Sequence, residues 1–132
     1  MNFAGNCEEA FNLYKSVFGG EFVMLQRYKD MPPEAGNISE SQRDKILHVS
    51  LPIGNNILMG SDSPESQQLT VGNNVYISIS AESKEETKGL FDGLSAGGEI
   101  QMPLADIFWG AYFGMFRDKF GIQWMVSYEY KK

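Results

Sequence analysis

Phe18-Gly19-Gly20-Glu21-Phe22 returns later in the chain as Ala96-Gly97-Gly98-Glu99-Ile100, with Gly19 and Gly97 78 positions apart. Each copy closes an amphipathic stretch and opens an extended one. Before the first copy, Ala10, Leu13, Tyr14, Val17 and Phe18 recur at three- and four-residue spacing with Phe11 beside them, which predicts a helix over Cys7 to Phe18. Asn6 is placed to cap it, and Glu8 and Glu9 stand in the first turn, where the helix dipole favours acids. Before the second copy, Ser83 and Glu86 have the spacing of a capping box for a helix running to about Ser95. A glycine pair stops either helix, because glycine takes the left-handed backbone that ends one.

Working outward, Glu21 to Tyr28 reads as a strand, and residues 31–44, with two prolines and a glycine, as a loop. Lys45 to Ile53 and Ile57 to Ser61 read as a hairpin about Gly54-Asn55-Asn56. Ser63 to Thr70 is a polar connector. Asn74 to Ala81 alternates, with Val75, Ile77 and Ile79 on one face and Tyr76, Ser78 and Ser80 on the other. Glu99 to Pro103, Phe108 to Phe116 and Ile122 to Tyr130 are the remaining expected strands, with a turn over Arg117 to Gly121. Ile57-Leu58-Met59 also returns, as Gln123-Trp124-Met125, and Met59 and Met125 are 66 positions apart. The shorter offset is absorbed by the loop at 31–44. The expectation is an α+β fold of two βαβββ repeats, about 1–62 and 74–130, within one domain spanning 1–132. Two such half-sheets can curl into an incomplete barrel around a cleft, with the helices outside.

Composition narrows the function. The chain has 132 residues, 42% of them hydrophobic, enough for a sizeable core. Its formal net charge of −6 gives phosphates no general attraction, so nucleic acid is not an expected partner. The one dense basic spot is Lys131-Lys132. No apolar run is long enough to span a membrane, and the first nine residues have no basic or apolar region of a signal peptide. Cys7 is the only cysteine and cannot form an internal disulfide, which fits a cytoplasmic location. With one histidine, His48, and no His-x-His or Cys-x-x-Cys spacing, the chain has no recognisable metal site.

Several blocks in order carry a family resemblance: Asn2 to Phe11, Tyr14, Phe18-Gly19-Gly20, Leu47 to Leu51, Ile57 to Asp62, Trp109 to Gly114 and Phe116 to Trp124. Together they resemble the PhnB-like branch of the vicinal-oxygen-chelate (glyoxalase/bleomycin-resistance) superfamily, often labelled demethylubiquinone methyltransferase-like. The resemblance covers nearly the whole chain. It implies the double-repeat fold and a homodimer. Metal-using members chelate a divalent ion with His, Gln or Glu side chains from four strands. Carried over residue by residue, those positions fall here on Met59, Met125 and Tyr76, the fourth lying at or before Met1. Thioethers are poor ligands for Zn²⁺, Ni²⁺, Mg²⁺ or Fe²⁺, and a neutral tyrosine is little better, so neither a metal nor any other cofactor is expected. The methyltransferase label has no nucleotide-binding glycine loop behind it in this sequence.

The candidate site residues follow. Alternation counted from Leu47 puts His48 and Ser50 on one face and Leu47, Val49 and Leu51 on the other. If the first face lines a cleft, His48 is a general base; the alternative is a structural histidine held in a hydrogen-bond network. Asp62 either orients a histidine or accepts a proton as a catalytic group, or it caps a turn. Ser50, Met59, Tyr76, Trp109, Phe113 and Met125 are expected to contact a small organic ligand. The expected function is metal-independent small-molecule binding, with a metal-free isomerase or lyase using His48 as the alternative.

Overall fold

The computed structural model describes residues 1–32, 38–64 and 68–130, so part of the expected loop at 31–44, part of the 63–70 connector and the Lys131-Lys132 spot lie outside the described residues. The chain forms two compact units, Met1–Thr70 and Val71–Lys132. In the first, β1 (Asn2–Phe3) leads to α1 (Cys7–Phe18), β2 (Met24–Arg27), β3 (Ile46–Ile53) and β4 (Asn56–Asp62). In the second, β5 (Ile77–Ser80) leads to α2 (Lys84–Ser95), β6 (Glu99–Ile107), β7 (Ala111–Arg117) and β8 (Gln123–Glu129). The strand orders are β1-β4-β3-β2 and β5-β8-β7-β6, the same arrangement in both units. The opening strand pairs in parallel with the last strand, and the other pairs are antiparallel. The α+β class and the repeated β-α-β-β-β order therefore stand.

Each sheet buries one face under its own helix. In the first unit Phe3, Cys7, Ala10, Phe11, Tyr14, Val49 and Leu51 are almost fully buried; in the second Leu94, Phe116, Trp124 and Val126 are. The helix-facing side of β4 is fixed by Gly60, where a Cβ would lie 2.3 Å from Phe11 Cε1. In the second unit Gly114 plays that part, with a Cβ position 2.6 Å from Phe91 Cε2. Gly60 pairs with Val49 and Gly114 with Val126, so in each unit a glycine–valine pair lies under the helix phenylalanine.

Several boundaries differ from expectation, each for a local reason. The first unit's second strand is only Met24–Arg27, and a 3₁₀ turn over Tyr28–Asp30 follows it, held by Asp30 accepting from the Arg27 N–H at 2.8 Å. A register shift at Gln26/Arg27 puts Ile46 out of step with the β3 alternation, and Ile46 is buried together with Val49 and Leu51 while Leu47 is only half-buried. Val75 does not join Ile77 and Ile79 in β5 but is 71% exposed ahead of it. Most instructive is β6, which runs through Pro103 to Ile107. Proline cannot donate to a ladder, yet β6 is the edge of its sheet and its pairing with β7 shifts register on either side of Met102.

The expected caps divide in the same way. Ser83 Oγ accepts from the Glu86 N–H at 3.0 Å. Asn6 stands at the N-cap of α1 but makes no side-chain cap bond. The cap comes from Asp62, 55 positions after Cys7, whose Oδ1 accepts from the Cys7 and Gly5 N–H groups at 2.9 and 3.0 Å.

Candidate functional site

The helix-facing positions of each sheet define what the opposite face carries. In the first unit Gly60 and its partner Val49 face α1, so Met59, Ser61, His48 and Ser50 lie on the other face. There His48 Nε2 is 3.0 Å from Ser50 Oγ, as their i, i+2 spacing allows. Ser50 pairs with Met24 on one side and Met59 on the other, and Gln26 pairs with His48. Ser50 is 7% exposed, whereas Met24 and Met59 are 45% and 50% exposed. The result is a row of two thioethers flanking a hydroxyl, with the imidazole beside it. Ser61 Oγ donates to Asn2 Oδ1 at 2.9 Å and continues the polar strip.

In the second unit Gly114 and Val126 face α2, so Phe113, Met115, Met125 and Ser127 lie on the other face. Met115 pairs with both Met102 and Met125, and Met125 pairs with Ser78 on β5. A methionine row thus crosses β6, β7 and β8. Beside it runs a polar chain. Tyr76 OH donates to Gln101 Oε1, and Gln101 Nε2 donates to Gln123 Oε1 at 3.1 Å. Arg117 Nη2 donates to the same oxygen at 3.2 Å, and Gln123 Nε2 donates to Val75 O at 2.9 Å. At the β6–β7 turn, Trp109 packs edge-on against Phe113 with centroids 5.6 Å apart and against Phe108 at 5.1 Å. Trp109 is 55% exposed.

The structure thus brings His48, Ser50 and Met59 together in one unit; in the other, Phe113 and Trp109 touch, and Met125 shares the sheet face of Phe113. It does not bring Asp62 to His48. Asp62 alternates with Gly60 and so faces α1, the side opposite His48. Its carboxylate is 2% exposed and receives the backbone N–H groups of Gly5, Cys7 and Ile46 at 2.8–3.0 Å. Tyr28 OH donates to the Asp62 carbonyl at 2.6 Å. A carboxylate so engaged ties the start of α1 to β3. Burial, and then the neighbouring Asp62 charge, push the Cys7 thiol up to about 12, leaving it protonated and unreactive.

Sequence reasoning missed Asp118, the second unit's buried carboxylate, which ties a turn to β8. It is 2% exposed and accepts from the N–H groups of Phe120 and Ile122 and from Trp124 Nε1, at 2.9–3.0 Å. The Asp-x-x-Gly turn spacing at Asp118 and Gly121 was the available signal.

The divalent-metal arrangement of the resembled superfamily finds no matching donors. Met59 and Met125 offer thioethers, and the Tyr76 hydroxyl is spent on Gln101. By register the β5 neighbour of Met125 is Ser78, which offers a neutral hydroxyl. Among the described residues no group of three or more His, Cys, Asp or Glu side chains is placed to hold an ion. Likewise, no helix among them is long and apolar enough to cross a membrane.

Comparisons with known proteins bear on this geometry. Residues 1–127 match the family model described as 3-demethylubiquinone-9 3-methyltransferase. Protein YjdN of Escherichia coli (strain K12) is 30% identical over 134 residues, covering 96% of this chain and 90% of that protein. The crystal structure of PA1353 from Pseudomonas aeruginosa matches with a TM-score of 0.89 at 39% identity, over 98% of this chain and 93% of that one. The PhnB protein of Bacillus cereus matches with a TM-score of 0.78 at 28% identity, over 97% and 95%. At 14% identity the fold alone is shared with a glyoxalase/bleomycin resistance protein/dioxygenase family enzyme from Burkholderia phytofirmans PsJN, at a TM-score of 0.62 over 98% and 96%.

Proposed function

The chain belongs to the 3-demethylubiquinone-9 3-methyltransferase family, with PhnB-like relatives and the glyoxalase/bleomycin-resistance fold, and from that premise we propose that it is a metal-independent small-molecule-binding protein. The observation that carries this reading is the make-up of the sheet faces turned away from the helices. One carries Met24–Ser50–Met59 with His48 beside it; the other carries Met102–Met115–Met125 with Ser78. Thioethers are polarisable and adapt their rotamers to flat or irregular apolar ligands. Hydroxyls and an imidazole between them orient a polar substituent. Trp109 and Phe113 add ring surface for an aromatic ligand.

A thermal-shift screen of aromatic metabolites and antibiotics tests the proposal. A true ligand at one hundred times its Kd adds about 2.7 kcal/mol of stability. Met59→Lys or Met125→Lys should remove the response while leaving the unliganded melting temperature within a few degrees. Stoichiometric zinc, nickel or iron held by this chain's side chains in purified protein would overturn it.

A second reading, a metal-free isomerase or lyase, is favoured by one observation: His48 Nε2 is bonded to Ser50 Oγ on the face away from α1, so the ring is positioned and its pair is not sealed under the helix. His48→Gln separates the readings. Loss of turnover at unchanged stability supports the enzyme; weakened ligand affinity with no turnover to lose supports the binder. The same proposal includes a homodimer, checked by light scattering, and a reducing cytoplasmic setting, which suits the single buried Cys7.

A further inference from the structure

Alternation puts Arg117 on the same face of β7 as Met115 and Phe113, opposite the buried Phe116. The β7–β8 ladder carries that face across: Arg117 pairs with Gln123, Met115 with Met125 and Phe113 with Ser127. The face therefore has three steps. A guanidinium stands at one end and two thioethers in the middle. At the other end lies the Phe113 ring, packed against Trp109. The four residues from Arg117 to Phe113 span about 13 Å of strand.

Arg117 is the residue that needs explaining. It is half-buried, and a cation withdrawn from water ordinarily has an anion beside it. This one pairs with no carboxylate among the described residues. Glu99 stands directly across the β6–β7 ladder, and even there no ion pair forms. The partners of Arg117 are neutral oxygens. Nη2 donates to Gln123 Oε1 at 3.2 Å and to Gly72 O at 3.4 Å, and Nη1 donates to Gly121 O at 3.4 Å. Charge-assisted N–H···O bonds are normally about 2.7–2.9 Å, so these hold the group in place without answering its charge. A guanidinium has five N–H donors, which leaves the Nε–H and one Nη1–H without an acceptor among the described residues. A second donor stands beside it. Gln101 is exposed, and its Nε2 donates to the same Gln123 oxygen while keeping one proton over. Both groups are thus fixed on the methionine-bearing face, and both retain donors there. A single planar cation in a chain of net charge −6 suits one carboxylate rather than a more highly charged group.

We propose that the ligand of this face is an arylalkanoate, its carboxylate accepting from Arg117 and Gln101 and its carbon body running over Met115 and Met125 to the Phe113 ring. This rests on the reading of the face as a small-molecule site and adds the ligand's charge, direction and length. The test is a nuclear magnetic resonance titration of the full chain, isotope-labelled at the methionine methyls, with ω-phenylhexanoate and with its neutral amide at constant ionic strength. The Met115 and Met125 methyls and the Arg117 Nε–H should shift saturably, and the acid should bind about tenfold more tightly than the amide. Arg117→Gln should erase that preference, and Arg117→Lys, which keeps the charge and loses the fork, should keep part of it. Met125→Ser should weaken acid and amide alike. An Arg117→Gln chain that melts lower yet still prefers the acid would mark the guanidinium as a tie between Gly72 and Gly121 and overturn the proposal. Equal binding of acid and amide by the native chain would also overturn it, while small-molecule binding on this face would stand. No methyl shift with either compound would overturn it too, and the thermal-shift screen alone would then decide the broader reading.

Discussion

The two units share one strand order, yet they solve the same packing problem with opposite residues. In the first, β3 supplies the valine and β4 the glycine, Val49 beside Gly60; in the second, β7 supplies the glycine and β8 the valine, Gly114 beside Val126. Phe11 fills the space over Gly60 and Phe91 the space over Gly114. The buried carboxylates differ similarly. Asp62 reaches across 57, 55 and 16 positions to join α1 and β3, whereas Asp118 serves a turn and a tryptophan within 6 positions of itself. What is preserved between the units is the room under each helix and a charge-assisted tie, not the residue that provides them.

The largest expected break in that comparison is Asp62→Ala. It leaves two buried N–H groups and one part-buried one without an acceptor and should cost about 4 kcal/mol in urea unfolding. Asp118→Ala should cost less, about 2 kcal/mol, because two of its three donors, the Phe120 and Ile122 N–H groups, are only part-buried. Equal losses would mean that the span of the tie does not matter.

Next come the glycines. Gly60→Ala and Gly114→Ala each force a methyl against a phenylalanine ring and should cost about 2 kcal/mol. The sharper test exchanges the pair. Gly60→Val with Val49→Gly gives the first unit the second unit's arrangement, and the double variant should recover about 1 kcal/mol relative to Gly60→Val alone. No recovery would show that Phe11, unlike Phe91, is locked to one strand.

Cys7 supplies a pH-dependent contrast, since the second unit has no cysteine. The folded thiol is held protonated up to about 12 against 9.0 in its unperturbed state. Its contribution is therefore complete below pH 9 and is lost as pH rises from there through the folded value. Stepped-pH unfolding should show the native chain losing more stability than Cys7→Ala across that alkaline window. Parallel curves would remove burial of Cys7 as the cause.

The smallest effect belongs to Arg27 and Glu8, joined through two N–H···O bonds of 2.8 and 3.0 Å. The hydrogen bond from Arg27 lowers the Glu8 carboxyl below its usual value, so its contribution is present above about 4.5 and fades as acid protonates it. With Glu8 47% exposed, solvent screening limits Glu8→Gln to about 0.5 kcal/mol at neutral pH.

Local patterns in the sequence were enough for the helices, the order of strands and the face shared by His48 and Ser50, because each rests on periodicity within a few residues. Ser83 was readable as a cap for the same reason. Asp62 was not, because its donors are brought to it only by the pairing of β1 and β4 and the docking of α1. The role of Gly60 was hidden too: a glycine in an alternating strand signals close approach but does not name Phe11 as what approaches. Tyr76 was singled out as a ligand position, but register sets Ser78 beside Met125, and only strand pairing reveals that two-residue difference.

Pro103 carries a consequence for how copies of this chain meet. Strand β6 is the longest among the described residues, and it lies at the rim of its sheet, where unsatisfied amides would invite a foreign strand to add on. Proline deletes one such donor, and the kinks on either side of Met102 throw the rest out of line. The opposite rims are stubs, Asn2–Phe3 in one sheet and Ile77–Ser80 in the other. Addition of a foreign strand along this rim is accordingly disfavoured.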